Sequence, residues 1–275
     1  AMRAAGVSEN VAETVIGTMA DAYVPWQENS FPGLLGNVGA GRIANRLNLR
    51  GTNCVVDAAC ASSLSAVHLA LLELMSGRTD MVVSGGVDAL NDIFMFMCFS
   101  KTQALSPTGD AKPFAKDADG TVIGEGVGMV VLKRLEDAEC DGNRIYAVIR
   151  GIGTSSDGRS QSIYAPRAAG QTEALRDAYE VSGIDPATVS LIEAHATGIP
   201  LGDRTEIQSL TAIFGERQGT LPHIALGSVK SQISHAIPAS GAASLIKVTL
   251  ALHQKVLPPM LIDAPAPHLE LERTP

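Results

Sequence analysis

At 275 residues, with 45% apolar and 18% charged residues, the chain has enough material for one sizeable core or two small ones, and it is too apolar to be disordered. Its 27 glycines and only 4% aromatics suit closely packed α/β layers with many tight turns. A net charge of −8 with no Lys/Arg cluster speaks against a nucleic-acid-binding surface, and no run of about 20 uncharged apolar residues predicts a membrane span.

The elements alternate. The opening residues run straight into a helical pattern. Residues 53–58 (NCVVDA) form a β-branched run that predicts a strand. Residues 61–75 then predict a helix, with apolar residues at 64, 67, 71 and 72 and Gly77 as a stop. The stretch 80–84 (DMVVS) predicts a strand ended by Gly85-Gly86. Two further strands are expected at 128–132 (GMVVL) and 145–149 (IYAVI), parted by a polar turn at 141–143.

After a Ser/Gly-rich loop at 153–162, residues 168–181 predict an amphipathic helix ending near Gly183. A strand at 190–194, a helix at 203–214 and a strand at 224–226 follow. A long helix at 239–256 is stopped by Pro258-Pro259. Such alternation implies a mostly parallel sheet covered by helices, with ligands at the carboxyl ends of the strands.

The candidate chemistry falls at those ends. Cys60 lies between a strand and a helix, with small residues on both sides (VVDAACASS, 55–63). A helix N-terminus favours the thiolate, which is the nucleophilic form; the alternative is a buried, inert thiol. His195, in LIEAHATG (191–198), and His235, in GSVKSQISH (227–235), each follow a strand. One imidazole could act as acid or base and the other could stabilise an oxyanion. For each histidine alone, a structural role is the alternative.

Lys230 has a short reach to the same place, or is a solvated lysine. Glu125, between two glycines, is a further candidate, or a turn carboxylate. His68 reads as a packing residue, and His223, His253 and His268 have no motif around them. Cys54, Cys98 and Cys140 read as core or incidental thiols. The four cysteines lack paired metal spacing and are too sparse for a disulfide scaffold. With no secretory apolar stretch at the start, a reducing, cytoplasmic setting is expected. The apolar run 94–99 (FMFMCF) suits an acyl tunnel, or a core or subunit-interface segment. The glycines at 124, 126 and 128 lead into a strand, so they make a poor dinucleotide fingerprint.

Three of these stretches, in order, resemble the motifs of β-ketoacyl synthases, the condensing domains of polyketide and fatty acid synthases. DAACASS (57–63) resembles the nucleophile motif, and EAHATG with LGD (193–198, 201–203) the first histidine motif. GSVKSQISH (227–235) resembles the second histidine motif with its lysine. The longer stretches 31–71, NDIFMFMCFSKTQALSPTGD (91–110), RIYAVIRGIGTSSDG (144–158) and SIYAPR (162–167) resemble the iterative type I ketosynthases of enediyne polyketide synthases. Those of polyunsaturated fatty acid synthases come next.

The resemblance implies an α/β thiolase-like layered fold, with mostly parallel sheets covered by helices. It also implies one ketosynthase domain over 1–275, a homodimer, and no metal or organic cofactor. Substrates would come as acyl and malonyl thioesters on the phosphopantetheine arm of an acyl carrier protein. Cys60 would take the acyl group, and its backbone N–H would serve an oxyanion hole. His195 and His235 would assist decarboxylation of the malonyl thioester and stabilise its enolate. Lys230 would support the pair, with Glu125 nearby, and Thr197 and Ile199 would meet the carrier arm. The two competing functions are a non-catalytic dimer partner and a Cys-His hydrolase.

Three residues depart from the family pattern. Ala196 and Ser234 stand where glycine is usual, and Ile199 where threonine is usual. If those backbones have positive φ, Ala or Ser costs about 1 kcal/mol there. Family members also extend beyond both ends of this chain. An internal fragment is therefore expected, incomplete at both ends, with sheet edges and core surface uncovered.

Overall fold

The computed structural model describes all residues except 1, 24, 90, 160, 161, 163, 217–222 and 275, and for Arg3 the backbone alone. The chain divides into two compact units, Ala1–Val55 and Val56–Pro275. Among the described residues, the first holds three α-helices, α1 (Glu9–Asp21), α2 (Ser30–Gly33) and α3 (Asn37–Arg46), behind a 3-10 turn at Arg3–Ala5. The second holds α4 (Ser62–Met75), β1 (Met81–Asp88), α5 (Ile93–Lys101), β2 (Gly126–Lys133), α6 (Leu135–Cys140), α7 (Ala168–Ser182), β3 (Leu191–Glu193), α8 (Pro200–Phe214), β4 (Ala225–Gly227), α9 (Lys230–Ile233) and α10 (Ser240–Gln254). Among the described residues, no helix is long and apolar enough to cross a membrane.

Helix α4 begins one residue after the predicted start, behind a 3-10 turn at Ala59–Ala61. Its buried face differs from the one expected. Ser63, Val67, Ala70 and Leu74 face inward, at i, i+4, i+7 and i+11, while Leu64 and Leu72 are exposed. α10 starts against that face at Ser63: the Ala242 N–H donates to Ser63 Oγ at 2.9 Å.

Strand β1 runs through Gly85 and Gly86 rather than stopping there. A Cβ on Gly85 would fall 2.0 Å from the Gly128 carbonyl oxygen. One on Gly86 would fall 2.6 Å from that of Pro238 and 2.8 Å from Ser63 Cβ. The glycines admit neighbouring backbone to the strand instead of ending it. β1 pairs with β2 in an antiparallel ladder from Met81↔Lys133 to Asp88↔Gly126. β3 and β4 form the parallel ladder, from Leu191↔Ala225 to Glu193↔Gly227. The expectation of parallel pairing thus holds for β3–β4 and not for β1–β2.

The segments 53–58 and 145–149, expected as strands, form none. β-Branched runs favour extended backbone, but a strand also needs a ladder partner, and neither run has one among the described residues. The helices fit better. α7 ends on Gly183 at φ 64°, ψ 18°, the left-handed cap the sequence announced. α8 starts three residues early because Pro200 occupies its first turn. α10 ends at a left-handed Lys255, ahead of Pro258-Pro259. Of the expected loop at 153–162, Ser160 and Gln161 lie outside the described residues, as does Ile163 of SIYAPR.

A core cluster of Phe114, Ala194, Ala196, Ile207, Ala266 and Leu269 supports the turn that carries His195. The apolar run 94–99 lies on α5, where Phe94, Met95, Phe96 and Met97 are exposed, so it is not core. β2 alternates, with Val127, Met129 and Val131 facing outward.

Candidate active site

Cys60, His195 and His235 converge. Their sulfur and ring-nitrogen atoms lie within 4.8 Å of one another. His235 Nε2 is 3.1 Å from Cys60 Sγ. The two imidazoles meet edge to face, with centroids 5.5 Å apart at 83°. Both histidines leave the carboxyl ends of the paired strands β3 and β4, where an α/β sheet is expected to carry its chemistry.

The turn before Cys60 is held by side chains. The Ala58 N–H donates to Ser62 Oγ at 2.9 Å, and Ser62 Oγ–H donates to the Ala59 carbonyl at 2.7 Å. Ala59 has φ 48°, a left-handed position immediately before the nucleophile candidate. The His195 turn hangs on two carboxylates of α8. Glu206 accepts the N–H groups of His195 and Ala196, both at 2.7 Å. Asp203 accepts those of Phe114, Thr197 and Gly198 at 2.7, 3.1 and 3.3 Å.

Ser228 and Glu193 join the two histidine-bearing turns. Ser228 Oγ–H donates to the Ala196 carbonyl at 3.0 Å. Glu193 accepts the Val229 N–H at 2.5 Å and the Lys247 ammonium at 2.7 Å. The backbone of His235 is clamped by the segment beside it: its N–H donates to the Val122 carbonyl at 2.8 Å, and its carbonyl accepts the Gly124 N–H at 3.1 Å.

Lys230 is fully buried, with 1% of its surface exposed. Burial pushes its ammonium pKa down, opposed chiefly by the carboxylates of Glu206 and Glu193. Its positive charge reaches all three converging residues. Desolvation first, and Lys230 second, lower the pKa of both His195 and His235 to about 3. His195 is crowded by protein atoms yet keeps a solvent-exposed face, and water there weakens its shift. Both rings are neutral near pH 7.

For Cys60, burial pushes the thiol pKa up, while Lys230 and the backbone lower it. Desolvation therefore outweighs the helix-terminus effect expected from sequence, and the resting sulfur is chiefly the thiol. The same burial raises the pKa of Asp203 and Glu206. The S/N/N donor set has the softness a zinc-like ion accepts. However, the buried cation of Lys230 behind it disfavours a dication.

Other candidates stand apart. Glu125 is exposed and accepts the Asn91 N–H at 2.9 Å, pinning the entry of α5 to the start of β2. Thr197 is buried, and Ile199, partly exposed, caps α8. Ala196 is not at positive φ, so the expected backbone cost is absent there. Ser234 does carry it, at φ 64°, ψ −170°, a region that glycine alone occupies readily. The sequence reading passed over Glu206, Glu193, Ser228 and Ser240. The available signal was Asp203 and Glu206 at i, i+3 on one face of α8, just after the first histidine motif.

Two family models match the chain: the β-ketoacyl synthase N-terminal domain over residues 2–138 and the β-ketoacyl synthase C-terminal domain over 146–262. The chain belongs to the β-ketoacyl synthase family. It is 47% identical, over 94% of its length, to a polyunsaturated fatty acid synthase polypeptide of a Thraustochytrium species, covering 9% of that protein. It is 46% identical, over 86% of its length, to a phenolphthiocerol/phthiocerol polyketide synthase polypeptide of Mycobacterium tuberculosis, covering 16%.

Among solved structures, the ketosynthase from module 6 of the Bacillus subtilis bacillaene synthase superposes with a TM-score of 0.85 at 39% identity. That match covers 92% of this chain and 46% of that one. The expected thiolase-like layered class is therefore the fold of this ketosynthase. The chain spans under a fifth of these two curated relatives and under half of that solved ketosynthase.

Proposed function

We propose that residues 1–275 form part of one ketosynthase domain that extends an acyl chain by decarboxylative Claisen condensation. The observation that carries this is the convergence of one thiol and two neutral imidazoles in front of a buried lysine. The Cys60 sulfur attacks an acyl thioester on an acyl carrier protein, and the carrier's phosphopantetheine thiol leaves with the proton. A malonyl thioester then loses CO2. The enolate oxygen so formed accepts hydrogen bonds from His195 and His235, and its carbon attacks the Cys60 thioester. The 3-oxoacyl chain leaves on the carrier and the sulfur is released.

Neutral imidazoles suit this task, because a ring N–H stabilises a developing oxyanion without delivering a proton to the carbanion. The Cys60 N–H is the natural donor for the oxyanion of the acyl-transfer step. Burial, with Lys230 behind it, keeps the rings neutral, and Lys230 stabilises anionic sulfur. Ile199, at the exposed start of α8, and Thr197 beneath it are the proposed neighbours of the carrier arm. Glu125 acts at a distance, through the loop it pins. No organic cofactor enters these steps.

A non-catalytic partner has no use for a sulfur and an imidazole at bonding distance, and a hydrolase has no use for a second imidazole. A second copy of the chain is the proposed cover for the outward apolar residues of α5 and β2, with the 94–99 run lining the acyl path, in a cytoplasmic enzyme. The 91–110 stretch favours an iterative synthase of the enediyne type. A polyunsaturated fatty acid synthase is the second reading, favoured by the 47% identical relative. Incubating the complete synthase with acyl-loaded carrier and mass-analysing the Cys60 peptide tests the nucleophile; adding malonyl-loaded carrier tests condensation.

A further inference from the structure

We propose that Ser240 is a positioning residue that fixes His235 in the tautomer whose proton sits on Nε2. Ser240 Oγ lies 2.7 Å from His235 Nδ1, and both residues are buried, at 3% exposure. The other ring nitrogen, Nε2, faces Cys60 Sγ at 3.1 Å. A neutral imidazole has one donor and one acceptor nitrogen, so the partner at Nδ1 decides what Nε2 can do.

The direction of the serine bond follows from its surroundings. A hydroxyl has one proton and two lone pairs. Among the described residues, His235 Nδ1 is the hydrogen-bond partner of Ser240 Oγ. If the hydroxyl accepted from Nδ1–H, its own proton would be buried without an acceptor. If it donates, only a lone pair goes unused, which is the smaller loss. Nδ1 is then the acceptor, and Nε2–H points at the sulfur. Burial first, and the charge of Lys230 second, keep a second proton off the ring.

The serine is well placed to hold this geometry. It is the first residue of α10, in helical conformation at φ −58°, ψ −46°. Two residues on, the Ala242 N–H is bonded to Ser63 of α4, the helix that follows Cys60. The hydroxyl and the thiol are thus carried on helices fastened to each other. The inference rests on the proposed condensation, in which Nε2–H first meets anionic sulfur and later the enolate oxygen.

The test uses the complete synthase with S240A, S240T and S240C. Two rates are followed: CO2 release from malonyl-loaded carrier, and Cys60 alkylation by iodoacetamide across pH. S240A is expected to slow CO2 release about tenfold, the loss of one hydrogen bond's worth of donor alignment, and to move the alkylation midpoint to higher pH. S240T keeps the hydroxyl and is expected to stay within about threefold of wild type on both. If S240A does not fold, S240C replaces it: similar in volume, a weak donor, and expected to show the same losses. Wild-type rates and midpoint in S240A or S240C would overturn the proposal, as would an S240T as slow as they are. A wild-type synthase that releases no CO2 would overturn the condensation instead, and the alkylation profile would still decide the role of Ser240.

Discussion

Cys60 Sγ and His235 Nε2 stand 3.1 Å apart across 175 residues of chain. One ladder and two helices bring them together: β3–β4 sends out both histidine-bearing turns, and α10, fastened to α4, seats His235 against the start of the cysteine helix. The outcome is a thiol beside two neutral rings with a cation behind them. That electrostatic arrangement, and the strain around it, have measurable consequences.

Removing the buried cation changes the sulfur. Lys230 lowers the Cys60 pKa against the opposing effect of burial. A K230M variant is expected to move the pH midpoint of Cys60 alkylation upward. It also withdraws a positive charge that favours the ionised form of Glu206. An unchanged alkylation profile would show that Lys230 does not act on the sulfur.

Stability should fall as pH drops below neutral. His235, buried, has a folded pKa of about 3 against 6.5 unfolded, and His195, which keeps an exposed face, shifts in the same direction. Between those values the unfolded chain binds more protons, so their stabilising contribution is complete above pH 6.5 and declines toward pH 3. Asp203 and Glu206, with raised pKa values, work the other way once pH falls through the carboxylate range. The histidine contribution is thus cleanest from pH 6.5 to about 5. Thermal melts should drop over that interval, and H235Q should flatten the slope; equal slopes would mean that His235 titrates normally when folded.

Ser234 stores strain next to His235. At φ 64°, ψ −170°, a side chain costs roughly 1–3 kcal/mol, part of which glycine returns through its greater unfolded-state freedom. S234G is expected to raise stability by about 1 kcal/mol. Urea unfolding of the two proteins checks this, and a destabilised S234G would mean that the serine side chain makes a compensating contact.

Gly86 is a packing position. A methyl there meets Pro238 backbone at 2.6 Å and Ser63 at 2.8 Å, so G86A is expected to cost about 1–3 kcal/mol. It should also slow Cys60 alkylation by spreading α4 from the 237–239 turn. A G86A protein as stable as wild type would indicate slack that the backbone distances do not show.

The trio was legible in the sequence because each member sits in its own small-residue motif at a predicted element end. The helices α7, α8 and α10 were legible from periodicity and punctuation. Other features depended on long-range partners. Residues 53–58 and 145–149 have strand composition but no ladder. Gly85-Gly86 reads as a stop locally and acts as a passage for distant backbone. The inward face of α4 runs through Ser63 and Ala70 rather than Leu64 and Leu72, with α10 fastened to it at Ser63. Cys60 shows the same limit: its helix-terminal place argues for a lowered pKa, and burial, invisible locally, reverses the sign. Ser240 is an ordinary helix-start serine until the ring of His235 is seen beside it.

The central claim is that the two imidazoles stabilise the enolate while Cys60 holds the acyl chain. CO2 release from labelled malonyl-carrier protein tests it most directly, measured in the complete synthase with C60A, H195A and H235A. C60A should still release CO2, because the histidine pair and Lys230 remain, and H195A and H235A should each lose at least about a hundredfold. CO2 release at the wild-type rate in either histidine variant would contradict the claim.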